Sequence, residues 1–227
     1  MARKKDYGEI IAEHIAKIVG IRKIKHVLHF TRLENLPYIL EFGLRSRSEL
    51  VGTEFGVYPS DLDRLDQKDD AVSVSISCYY PRMFDAKRHR AGRFPWAILI
   101  LHPSILWKYH CLFYRYGVPT NATKYESGKR YGGFALEKLF EDHPSDKDAS
   151  LSFRAEHGLP QSWPTFPDSE VQVMSPIHPS FIMGAWVETS VHGEFVSAAF
   201  EEAGRDDCEV VVQPFEPRLW RKPYFWG

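Results

Sequence analysis

The chain has 227 residues, 44% of them hydrophobic and 26% charged, close to the globular averages of about 45–50% and about 25%, which excludes a disordered or fibrous chain. At roughly 150 residues per domain the length fits one large domain, or one domain with an appendage, and not several. With 29 basic and 30 acidic residues the formal net charge is −1, so a nucleic-acid surface has to be a local patch.

Ile10, Ile11, Ile15, Ile18 and Val19 recur at helical spacing with Glu9, Glu13 and Lys17 on the other side, which predicts an amphipathic helix over 9–19 that ends at Gly20. Those interrupting charges are unlike the core of a secretory leader, and none is expected. Residues 25–31 predict a short strand, and after it a helix capped by Asn35, with Pro37 in its first turn and Gly43 at its end. From 49 to 70 the sequence is polar, carries Gly52, Gly56 and Pro59, and reads as a long loop. Val72, Val74 and Ile76 then alternate with Ser73, Ser75 and Ser77, a strand with one apolar face and one face of small hydroxyls.

Residues 97–101 predict a buried strand, 103–106 a helical turn or loop and 133–140 a short helix. Residues 141–169 carry Pro144, Pro160, Pro164 and Pro167 and read as a second long loop, which ends at Glu170. Residues 170–174 alternate, with Glu170, Gln172 and Met174 on one face and Val171 and Val173 on the other. Pro176 and Pro179 stop that strand, another is expected at 209–212, and a tail rich in Pro, Trp and Arg follows. Strands spaced this irregularly do not fit alternating βα units, so the fold class expected is α+β, in a single domain.

Common catalytic signatures are missing: the sequence holds no GxGxxG after a strand, no P-loop, no HExxH and no GxSxG. His26 and His29 have HxxH spacing, but on a strand an odd separation sends them to opposite faces, and no metal site is expected. Cys78, Cys111 and Cys208 are isolated, which fits a reducing compartment. The longest uniformly apolar run, 96–101, is far short of the ~20 residues that span a bilayer. A cytoplasmic protein without a membrane partner is expected.

Glu170 is a carboxylate at the first position of a strand, delivered by a long loop. That placement fixes its backbone and opens its side chain to a cleft, though a solvated strand-end acid has the same signature. Arg64 equally fits a surface ion pair with Asp61, Asp63 or Asp66.

Taken in order, several segments carry a resemblance. His29-Phe30-Thr31, Asn35-Leu36-Pro37, Ile39-Leu40 and Gly43-Leu44 resemble the opening motif of the DarT toxins, which are DNA ADP-ribosyltransferases. The stretch 61–66 around Arg64 resembles that family's arginine-bearing segment. The strand at 74–77 with the PRMF turn at 81–84, the Thr120-Asn121-Ala122 segment, and Asp168-Ser169-Glu170-Val171 with 177–182 follow in family order. The resemblance covers roughly residues 24–185. It departs where the family usually has Gln two residues before its glutamate and this chain has Asp168.

The resemblance implies an ADP-ribosyltransferase-like split β-sheet core with flanking helices and long loops, occupying 24–185, with a C-terminal strand and tail over 186–227. It implies a toxin that uses NAD+ as co-substrate and no metal. Nicotinamide is released through an oxocarbenium-like ribose, and ADP-ribose is joined to a nucleobase of single-stranded DNA, which blocks replication. Thymidine is the favoured acceptor and guanosine the other. Glu170 and Arg64 would be catalytic. His29, Thr31, Asn35, Gly43 and Ser77 would contact NAD+. Single strands are held by basic grooves with aromatic platforms, and Tyr80, Arg82, Arg88, Arg90, Asn121, Arg154 and Trp163 are the expected DNA contacts. A cognate antitoxin with ADP-ribosyl-hydrolase activity is the expected partner. The alternatives are the same chemistry on RNA or protein, and an inactive relative that binds single-stranded nucleic acid.

Overall fold

The structure is a computed structural model that describes residues 5–50, 70–92, 94–117, 130–142 and 152–215. It opens with α1 (Tyr7–Arg22). Its start is fixed reciprocally, the Glu9 N–H donating to the Asp6 carboxylate at 2.8 Å and the Asp6 N–H to the Glu9 carboxylate at 3.0 Å. The helix runs through Gly20 and stops at Lys23, whose φ of 55° is left-handed, with the Lys23 and Ile24 N–H groups returning to the Gly20 and Val19 carbonyls. The expected stop at Gly20 is therefore early. One exposed glycine costs a helix about 1 kcal/mol, less than the burial of Ile18, Val19 and Ile24 around this turn returns.

The described residues build one seven-stranded sheet from β1 (Val27–Arg32), β2 (Val72–Ile76), β3 (Trp96–Leu101), β4 (Cys111–Tyr114), β5 (Glu170–Val173), β6 (Ile182–Val187) and β7 (Glu209–Val212). Their spatial order is β4-β5-β2-β1-β3-β6-β7. Every pair is antiparallel except β6 with β7. The remaining helices are α2 (Leu36–Phe42), α3 (Arg47–Leu50), α4 (Pro81–Ala91), α5 (Ile105–Lys108), α6 (Gly133–Lys138), α7 (Phe153–Glu156) and α8 (Ser190–Glu202).

On one face, Val27, Val74, Leu99 and Val171 join a core with Ile15 and Ile18 of α1, Leu36 and Ile39 of α2, Leu136 of α6 and Phe200 of α8. On the other, Leu28 and Ile98 pack with Tyr79, Phe84, Trp96 and Phe215. Phe84 makes edge-on contacts there with Tyr79, Trp96 and Phe215, at ring separations of 5.2, 5.6 and 5.2 Å. The segment expected as a turn at 81–84 is the first turn of α4, with Pro81 at its start, where a missing N–H costs nothing.

Candidate active site

The seam between β1 and β2 is short. Two pairs cross it, Val27–Ile76 and Leu28–Ser75, against six between β1 and β3. Beyond Leu28 the β1–β2 ladder ends, the break in pairing that marks a split sheet. Two histidines bracket the seam: His26 Nε2 donates to the Ser77 carbonyl at 3.2 Å and His29 Nδ1 to the Ser73 carbonyl at 2.9 Å. A carbonyl only accepts, so each partner sets which ring nitrogen carries the proton. Burial lowers the pKa of His26, so it is neutral near pH 7.

Beside that break, the Ser73 hydroxyl donates to Glu170 Oε1 at 2.6 Å. Ser73 lies opposite Gln172, and Tyr114 opposite Glu170. Residues two apart share a strand face, so Ser73, Ser75, Glu170, Gln172 and Tyr114 form a polar face whose reverse side is Val72, Val74, Val171 and Val173. Burying those valines fixes the register, because a slip of one residue would exchange the two faces. Glu170 thus stands half-buried at the start of β5, with its backbone held by the ladder and its carboxylate held by a charge-assisted hydrogen bond.

Ser77 adopts φ 58°, rare for a residue other than glycine, and its buried Oγ has no hydrogen-bond partner among the described residues. A strained residue with an orphaned buried hydroxyl fits a polar ligand atom at that edge. Three residues on, Tyr80 hydrogen-bonds Arg82, and burial followed by the nearby Asp168 raises its phenol pKa. Asp168 accepts from the Gly117 N–H at 3.0 Å, and burial pushes its carboxyl above the usual range. Glu170, Ser73, Ser77, Tyr80, Arg82 and Asp168 therefore belong to one neighbourhood, drawn from β2, the start of α4 and the approach to β5, and His29, on the face of β1 that Val27 and Thr31 share, meets it at the Ser73 carbonyl. Ser73 and Asp168 are absent from the expected site. The alternating serines of β2 carried the signal for Ser73.

Other expected contacts are engaged differently. Thr31 and Asn35 are 3% and 5% exposed. Asn35 Nδ2 donates to Thr31 Oγ1 at 3.1 Å and does not cap α2. Thr31 pairs with Ala97 on the main-core side of β1, away from the Ser73–Glu170 face. Gly43 has φ 83°, and a Cβ there would lie 2.4 Å from the Ile177 carbonyl oxygen. The Leu44–Ile177 bridge explains this glycine without a ligand.

Arg88 binds Glu188 at 2.5 Å and lies over the rings of Phe84 and Phe215. Arg154 donates to Thr165 Oγ1 and the Pro160 carbonyl, both at 2.9 Å, and burial lowers its pKa to about 10. Both guanidiniums hold the fold together at these contacts. Arg82 and Arg90 are exposed on α4. Trp163 is half-buried in a loop tied to α1 by Gln161 Nε2, which donates to the Ile21 carbonyl at 2.6 Å. Arg64, Asn121 and the aromatic and basic tail lie outside the described residues. Among the described residues, no group of three or more His, Cys, Asp or Glu could hold a metal ion, and no helix is long and apolar enough to cross a membrane.

No protein-family model matches the chain, and no curated protein does. Solved structures do match it in fold. Thermus sp. 2.9 DarT in complex with ADP-ribosylated ssDNA superposes with a TM-score of 0.57 at 16% identity, over 84% of this chain and 95% of that one. The same protein in complex with NAD+ gives 0.55 at 15% identity, over 84% and 96%. Thermosipho africanus DarTG in complex with ADP-ribose gives 0.51 at 12% identity. That match covers 83% of this chain but spans half the length of the DarTG chain. The α+β split sheet is thus a DarT-like fold.

Proposed function

We propose that the protein transfers ADP-ribose from NAD+ to a base of single-stranded DNA, with thymidine the favoured acceptor and guanosine the other. The observation that carries this reading is the Ser73–Glu170 pair on the polar face beside the split between β1 and β2. It stands in a fold shared with structures solved with NAD+ and with ADP-ribosylated ssDNA.

NAD+ supplies a ribose C1 from which nicotinamide leaves with the bonding pair, while the base provides the pair for the new bond and gives up a proton. Glu170 holds a ribose hydroxyl, offsets positive charge that develops at C1 and takes up the base proton. Ser73 aims that carboxylate. His29, turned by the Ser73 carbonyl, presents its ring at the cleft edge, and Ser77 Oγ meets a polar atom of the dinucleotide. Arg64, the counterpart of the family's arginine, holds a phosphate or polarises the base. Tyr80 offers a stacking surface, and the exposed Arg82 and Arg90 meet DNA phosphates. Within this reading a toxin role and a partner that removes the modification follow from the DarT likeness.

The test is incubation with NAD+ and four short single strands, each lacking one base, read by intact mass. We expect a gain of one ADP-ribose that disappears when the acceptor base is the one omitted. Nicotinamide release without any DNA product would move the acceptor to RNA or protein. No release at all would leave a nucleic-acid-binding module.

A further inference from the structure

We propose that Asp168 and Ser169 are positioning residues. They tie the chain entering β5 to the chain leaving β4 and thereby aim Glu170, and Asp168 does this as a hydrogen-bond acceptor and not through its charge. The inference rests on the role given to Glu170 above.

The β4–β5 ladder pairs Cys111 with Val173, Leu112 with Gln172, Phe113 with Val171 and Tyr114 with Glu170, and there backbone pairing ends. A carboxylate on the last rung of a ladder sits where strands fray most easily. Two side-chain bonds continue the ladder past that point. Ser169 Oγ donates to the Arg115 carbonyl at 2.8 Å, and the Gly117 N–H donates to Asp168 Oδ2 at 3.0 Å. Tyr116 and Phe166 pack outside them as a tilted pair with ring centroids 4.7 Å apart, and the Arg115 guanidinium lies 5.2 Å from the Phe166 ring centre. Glu170 is therefore held as an interior residue of a longer pairing, although it is the first residue of its strand.

Burial raises the Asp168 carboxyl, so its charge is costly where it sits, whereas the backbone N–H groups of Gly117 and of Asp168 itself need an oxygen. An amide oxygen meets that need equally well. The exposure of Ser169 is 6%, so its bond to Arg115 is shielded from water's competition.

Asp168→Asn, Asp168→Ala and Ser169→Ala in the full chain separate these roles. We expect Asp168→Asn to keep kcat within about twofold of wild type, and Asp168→Ala to lose on the order of tenfold in kcat at unchanged KM for NAD+. Ser169→Ala should fall between them. Amide exchange read by NMR gives a measure independent of activity. The Gly117 amide should stay protected in wild type and Asp168→Asn and exchange faster in Asp168→Ala. A collapse of Asp168→Asn to the level of Asp168→Ala would overturn the acceptor role. Wild-type kcat in Asp168→Ala with a deprotected Gly117 amide would overturn positioning. Equal protection in all three would overturn the tie itself. If wild type releases no nicotinamide, the reading of Glu170 fails, and amide exchange still decides the tie.

Discussion

At the scale of single residues, the site is two oxygens 2.6 Å apart on neighbouring strands. Ser73 and Glu170 lie 97 positions apart in sequence, and the register of β2 on β5 brings them to one face. Under the proposed mechanism, removing the carboxylate should cost transfer far more than binding, because positive charge develops at the ribose C1 in the transition state and is absent there in bound NAD+. Glu170→Ala is therefore expected to abolish ADP-ribose transfer while NAD+ binding by calorimetry stays near wild type; transfer at the wild-type rate would remove Glu170 from the mechanism. Ser73→Ala leaves the carboxylate in place and removes one contact that orients it. It should lower kcat by on the order of tenfold with little change in KM, the pattern of a lost orienting contact.

At the scale of elements, α4 divides its arginines between two tasks. Arg88 is clasped by Glu188 and packed over Phe84 and Phe215, whereas Arg82 and Arg90 are exposed. Arg88→Ala should cost about 1 kcal/mol in urea unfolding, since the pair is part-exposed and its packing is lost with its charge. It should leave the salt dependence of oligonucleotide binding unchanged. Arg82→Ala and Arg90→Ala should do the reverse, each lowering the slope of log affinity against log salt by about 0.7. A slope change in Arg88→Ala alone would exchange these assignments. The same division explains what the sequence could reveal. The alternating serines gave β2 and the valine run gave β7, because both patterns are local. Strand β4 is four residues long and its paired residues are 56 to 62 positions away, while β6 carries Gly184, whose Cβ would lie 2.3 Å from the Glu209 carbonyl oxygen. Helix α8 hides behind Gly193 and two serines, poor helix formers that packing on β7 overrides. Basic charge marked Arg88 and Arg154 as DNA contacts, but their partners Glu188, Thr165 and Pro160 become visible once the chain is folded.

At the scale of the whole molecule, the two halves of the sheet join through two rungs, the Ser77 N–H to His26 carbonyl bond and two histidine side-chain bonds among the described residues. The fold shifts the protonation of His26, which links it to stability. Its pKa is lowered in the fold, chiefly by burial, so the unfolded chain binds the proton more readily. Its contribution is present in full above the unfolded value of 6.5 and is lost as pH falls through the folded value. Asp168 has the opposite sign. With a pKa raised above 3.8 its contribution is present below that value and is lost as pH rises through the folded one, so it does not share the acid-side loss of His26. Urea unfolding at pH 7.5 and 5.5 should show wild type weakened at the lower pH. His26→Gln, which keeps a donor for the Ser77 carbonyl and has no charge to bury, should weaken less. An equal loss in both proteins would place the acid-sensitive group elsewhere. A smaller loss in His26→Gln would assign the acid sensitivity of the fold to the imidazole that ties the two halves of the sheet at Ser77.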